Sequence, residues 1–163
     1  MRLRDFSVKR LTVCALLVSL CFVFSFVETL IPISLSPYGF KLGLANIVVV
    51  FSLYKCRIFD TLIILLAKIL ISGICFGGPV YLLYSLFGGV LSFLIMLILK
   101  NKLHIITVSV FGAIFFNIGQ ILCACIIMSF DIVYYLPIMV IAGVFTGFFI
   151  GILANIAESR IRV

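Results

Sequence analysis

The chain has 163 residues, of which 66% are hydrophobic and only 10% charged, with a mean hydropathy of +1.46. So little charge cannot coat a soluble domain of this size, and the apolar surface must face lipid. A net charge of +7 would point to nucleic acid on a soluble protein; here the cations flank membrane segments and set orientation, and no nucleic-acid partner is expected.

In hydrocarbon every backbone polar group must be paired within the protein, which leaves a helical bundle or a closed barrel. Barrel strands alternate apolar and polar residues. Runs such as residues 62–66 and 91–99 do not alternate. The expected fold is therefore an all-α membrane protein: one domain, a compact bundle of six transmembrane helices.

The first segment covers about residues 11–31. Its basic start imitates a signal peptide, but the apolar run is long for one and no Ala-x-Ala site follows, so a retained helix is expected. Ala15 and Ser19 form a small-xxx-small pair near its start. Such a pair serves either internal packing or the docking of a partner membrane protein.

Residues 28–46, ETLIPISLSPYGFKLGLAN, join the first segment to the second. Glu28 closes one and Lys41 opens the other, so the two either pair across the loop or contact a ligand. The loop between them is expected to form the outer mouth of the bundle and to cover a small-molecule pocket.

The second segment, about 42–54, is short. Some thirteen helical residues rise only about 20 Å, against a hydrocarbon core of about 30 Å. It must be tilted, shielded by protein, or extended by the loop. The third segment, about 58–76, carries Lys68 near mid-membrane. A lysine there costs on the order of 3 kcal/mol, so it either snorkels to an interface or meets a partner inside the bundle.

The fourth segment, about 79–99, opens on Pro79, where a missing N–H costs nothing. Ser85, Gly88 and Ser92 give it a small-residue face. The fifth, about 105–130, holds Asn117 and Gln120 on one face with Ala113 and Ala124. These amides and Asn46 either bond between helices or line a cavity. The sixth, about 134–157, has Pro137 in its first turn and a ridge of Gly143, Gly147, Gly151 and Asn155 suited to close helix packing.

Six spans put both termini on one side, and the cations agree. Arg2, Arg4, Lys9, Arg10, Lys55, Arg57, Lys100, Lys102, Arg160 and Arg162 fall together, while Lys41 lies opposite. The positive-inside rule makes the first side cytoplasmic. Tyr38, Tyr81, Tyr84, Tyr134 and Tyr135 collect at the other side, as an interfacial belt or as part of a pocket mouth.

Catalytic and cofactor signals are weak. The six cysteines contain no Cys-x-x-Cys, and His104 sits in a polar loop beside Lys102, so no metal is expected. Asp5, Asp60 and Asp131 are far apart, and no Gly-x-x-x-x-Gly-Lys phosphate loop occurs. The chain is expected to be neither an enzyme by itself nor an ATPase.

The runs ETLIP and LSPYGFKLGLANIV, then YSLFGGVLS, then FGAIFFNIGQ, resemble in order and spacing the Gx transporter family, also described as heptaprenyl diphosphate synthase component I. That family is similar to the substrate-binding S components of energy-coupling-factor transporters. The resemblance implies a multi-pass protein of the bacterial cytoplasmic membrane that captures a micronutrient-like, anionic or polar molecule. It also implies partner transmembrane coupling and ATPase subunits. Ala15 and Ser19 match the S-component docking residues by type, with Ala-x-x-x-Ser in place of Ala-x-x-x-Ala, and residues 32–40 match the first external loop. Glu28, Lys41, Asn46, Lys68, Asn117 and Gln120 are the candidate substrate contacts. The alternative is a non-catalytic accessory subunit in isoprenoid metabolism, with Lys55, Arg57, Lys100 and Lys102 as a headgroup site.

Overall fold

The computed structural model describes residues 8–30, 43–127 and 130–160. Among them the regular structure is wholly helical: α1 (Val8–Leu30), α2 (Asn46–Lys55), α3 (Ile58–Ser72), α4 (Gly78–Leu99), α5 (Ile105–Ile127) and α6 (Leu136–Arg160). A π-helical turn, Gly73–Gly77, joins α3 to α4, and a 3-10 turn, Phe130–Tyr135, leads into α6. Among the described residues five helical stretches are long and apolar enough to cross a membrane; α2 is a shorter apolar helix. The protein is thus a multi-pass membrane protein by length and composition.

Successive helices from α3 to α6 run antiparallel, and close contacts between them fix the register. On α3 and α4, Leu65 and Ile69 meet Gly89 while Gly73 meets Leu82. On α4 and α5, Met96 meets Gly112, and Gly88 meets Phe116 and Gly119. On α5 and α6, Ile106 meets Gly151 and Val110 meets Gly147. A Cβ on Gly147 would lie 2.7 Å from the Val110 Cα, so the ridge read from the sequence packs internally and sets the backbone spacing.

α2 sits at the centre. Residues 48–53 are buried on every side. Val49, Val50 and Leu53 pack with residues of α3, α4, α5 and α6, while Val48 and Phe51 pack with Leu17, Cys21 and Ile64. Its ten residues rise about 15 Å, roughly half the hydrocarbon core. Of the three ways to accommodate a short second segment, the structure uses shielding by protein. The helix starts at Asn46 because Gly43 stands at φ +79°, outside helical space.

Three contacts tie one end of the bundle together. Arg10 donates to both Asp60 carboxylate oxygens, at 2.5 and 2.7 Å, which joins the starts of α1 and α3. Lys55 pairs with Glu158 at 2.9 Å, joining the ends of α2 and α6. The Lys100 ammonium donates to the Leu53 carbonyl and lies 5.6 Å from the centre of the Tyr54 ring, so a cation caps the negative end of α2. The start of α1 and the end of α6 therefore share one end of the bundle.

α1 is peripheral. Leu17, Cys21, Ser25 and Glu28 face inward, whereas Leu16, Leu20, Val23 and Phe26 are exposed. Ala15 and Ser19 also face outward, and the Ser19 hydroxyl donates back to the Ala15 carbonyl at 2.9 Å. Internal packing is thus not their role. Element ends differ from expectation in one further place. The 3-10 turn delays α6 to residue 136, and α5 is described as far as Ile127.

Candidate functional site

On α3 the buried positions Thr61, Ile64, Leu65, Lys68 and Ser72 repeat at helical spacing, so Lys68 lies on the inward stripe of an otherwise apolar helix. It is only 7% exposed, which rules out snorkelling to an interface. Its ammonium donates to Asn46 Oδ1 at 2.5 Å and stands 5.4 Å from the centre of the Phe116 ring on α5. Both contacts offset part of the cost of burying a cation.

The local chain geometry explains how Asn46 reaches this place. Gly43 makes a tight turn, and the Asn46 N–H donates to the Gly43 carbonyl at 2.8 Å. A side chain at position 43 would be strained by the positive φ, and its Cβ would come 2.7 Å from Asn46 Nδ2. The Gly43 N–H in turn donates to Glu28 Oε1 at 2.5 Å. Glu28 is buried and within electrostatic reach of Lys68, as is the Cys21 thiol. A cation, a carboxylate and an amide from three helices thus converge on one turn.

One turn along from Lys68 the interior is polar again. Ser72 shares a 2.8 Å hydrogen bond with Ser25 of α1. Tyr81 of α4 lies beside Ser85 and within electrostatic reach of Glu28. Gln120 follows Phe116 by one turn on the same face of α5 and is 1% exposed. The result is two stacked polar levels inside an apolar bundle. Ser25 and Ser72 do not stand out in the sequence, because small hydroxyls are common in membrane helices, whereas Tyr81 is one of the tyrosines read as an interfacial belt or a pocket mouth.

The other candidate residues divide. Asn117 donates to the Met139 carbonyl of α6 at 2.7 Å and packs against Gly143, so its amide braces two helices. Ala15 and Ser19 lie on the outer face of α1, away from Lys68. Lys41 and the loop at 32–40 lie outside the described residues. At the opposite end, Lys55 and Lys100 are engaged with Glu158 and Leu53, while Arg57 and Lys102 are exposed. Cys56, in the turn between α2 and α3, has its thiol pushed up from the ordinary range, chiefly by burial and then by Cys14 and Asp60. Among the described residues no three His, Cys, Asp or Glu side chains converge.

An open, nearly apolar groove of about 400 Å³ runs along α4 and α5. Leu86, Phe87, Val90, Leu94, Gly119 and Leu122 line it, and it shares no residue with the polar levels. A surface of that kind accepts lipid chains. The charged and hydrogen-bonding groups of the interior lie instead with Lys68 and its neighbours.

Residues 17–157 match the family model described as heptaprenyl diphosphate synthase component I. The chain belongs to this family. No curated protein and no solved structure gives a match. The component I match begins within α1 and ends within α6, so both polar levels fall inside it. A component I label implies a partner subunit, and of the five long apolar helical stretches among the described residues the one in α1 is the least buried.

Proposed function

We propose that this component I chain is a membrane-embedded capture subunit for a small polar or anionic molecule, of the S-component type, and not itself an enzyme. The observation that carries the reading is Lys68. A buried cation in a span is expensive, and here it is held by one amide, one aromatic face and a nearby carboxylate, an arrangement that a substrate anion can join. Glu28, Asn46 and Gln120 supply further polar contacts. Lys41 belongs to the same proposal by sequence alone, and Asn117 acts at the margin because its amide nitrogen already serves α6.

In this reading the chain crosses the bacterial cytoplasmic membrane six times, with α2 as the short, protein-shielded member. Both termini are cytoplasmic, because the end tied by Arg10, Lys55 and Lys100 is the cation-rich one. Substrate then enters from the opposite end, towards Glu28. A coupling subunit with its ATPase docks on the outer face of α1 around Ala15 and Ser19, whose small side chains allow close approach.

The family's description favours a second reading, a non-catalytic membrane accessory in polyprenyl diphosphate metabolism. Its headgroup site would rest on Arg57 and Lys102, since Lys55 and Lys100 already have partners. One experiment separates the two. The protein is purified gently from its native membrane, and bound small molecules and copurifying proteins are identified by mass spectrometry. A small water-soluble acid with ATPase subunits is the expected result; a polyprenyl lipid with a soluble synthase would overturn the first reading in favour of the second.

A further inference from the structure

Gln120 is the largest polar side chain that the polar levels leave unspent; the Ser85 hydroxyl is the other. Gln120 is 1% exposed, and neither its amide oxygen nor its amide nitrogen has a hydrogen-bond partner among the described residues. Leaving such a group unpaired in a buried site costs about 1–3 kcal/mol. Asn117, three residues earlier on the same helix, shows the usual solution: its amide donates across the helix interface at 2.7 Å. Gln120 takes no such bond, although α4 passes close by. The missing Cβ of Gly88 would come 3.0 Å from Gln120 Cγ.

Its position relates it to Lys68. Phe116 turns its ring to the Lys68 ammonium, and Gln120 stands one turn further along the same face of α5. Ser85, one turn from Gly88 on α4, lies beside Tyr81, which is within electrostatic reach of Glu28. A glutamine amide offers an acceptor and donors side by side. A complementary edge also has a donor beside an acceptor, as in a primary amide, a lactam or an amino-substituted aza ring. An apolar group at this point would leave the whole amide unsatisfied.

We infer that Gln120 is a second recognition point of the Lys68 site, and that the captured molecule carries an amide-like donor–acceptor edge in addition to its anionic group. This rests on the capture reading above. The test uses the full chain in lipid nanodiscs and two matched pairs of acids: 3-carbamoylbenzoate against 3-methylbenzoate, and uracil-6-carboxylate against benzoate. Binding is measured for wild type, Gln120→Leu and Lys68→Met.

The edge-bearing acid of at least one pair should bind about tenfold more tightly to wild type, the factor expected when a buried amide is matched rather than left empty. That preference should vanish in Gln120→Leu, and Lys68→Met should weaken every acid. Equal binding of both members by wild type, or a preference kept by Gln120→Leu, overturns the subsite while the loss in Lys68→Met sustains the capture reading. If no acid binds wild type, both fall. Thermal unfolding without ligand gives an independent check. Gln120→Leu should melt at or above wild type, and a clear loss of stability would mean that the amide has a structural partner and would sink the inference.

Discussion

Replacing Lys68 by methionine separates a binding role from a structural one. Methionine keeps the length of the side chain and removes the ammonium. The bundle then no longer bears the insertion cost of a mid-span lysine, about 3 kcal/mol. It loses the charge-assisted hydrogen bond to Asn46, worth about 1.5–3 kcal/mol, and the contact over Phe116, worth about 1–2 kcal/mol in a desolvated place. These opposing amounts nearly cancel, so the variant should unfold within about 2 kcal/mol of wild type. Affinity behaves differently, because an anionic ligand would lose its only buried cation among the described residues near the site. A loss of about 3 kcal/mol corresponds to roughly a hundredfold weaker binding. The assay pairs thermal unfolding in nanodiscs with calorimetric titration of the acid recovered from native membranes. Binding within about twofold of wild type would refute the site. Unfolding weakened by more than about 4 kcal/mol would show that Lys68 is a brace.

Gly43→Ala forces a side chain into a left-handed turn and towards Asn46, so it should cost about 1–3 kcal/mol in unfolding free energy and reduce ligand affinity as well. Gly147→Leu sets a branched side chain against the Val110 backbone; it should lower stability by about 1–3 kcal/mol or prevent assembly, read by size-exclusion profile and thermal melt. In a background without native cysteines, an impermeant maleimide added to intact cells should label Tyr134→Cys and spare Lys102→Cys. The reverse pattern would invert the topology proposed for the chain.

Much of the helix layout was legible because apolar runs are broken by cations at the ends of α2 and α4 and by Pro79 and Pro137. The glycine ridge on α6 was legible for the same local reason: a spacing of four lies on one face. That Lys68 must either snorkel or find a partner inside the bundle followed from its solitary place in an apolar run; its burial decides between the two. Its partner did not follow. Asn46 lies 22 residues away on another helix, and the turn that aims it depends on the φ of Gly43, which sequence shows only as a glycine. Arg10 was read as a topology signal, yet it holds Asp60 in a two-pronged pair between α1 and α3. Charge near a helix start signals orientation whatever it touches, so its partner stays hidden until the helices are packed. Asn117 and Gln120 have the same amide and nearly the same place, and only packing reveals that one is spent and the other is not.

The central position of α2 also has a consequence for biosynthesis. Ten residues reach only about halfway across hydrocarbon, so α2 gains little by entering the bilayer alone. Most of its wrapping comes from helices made later: Ile69 of α3, Phe93 of α4, Val108 of α5, and Ile150 and Ala154 of α6 all join its core, and Lys55 waits for Glu158. The second helix made is therefore among the last to be secured, and its lodging must follow synthesis of the final span. A ribosome that stops before Ile150 leaves a chain whose hub lacks its α6 wall and the Glu158 partner of Lys55, which quality-control proteases can tell from the finished protein without inspecting the ligand site at all.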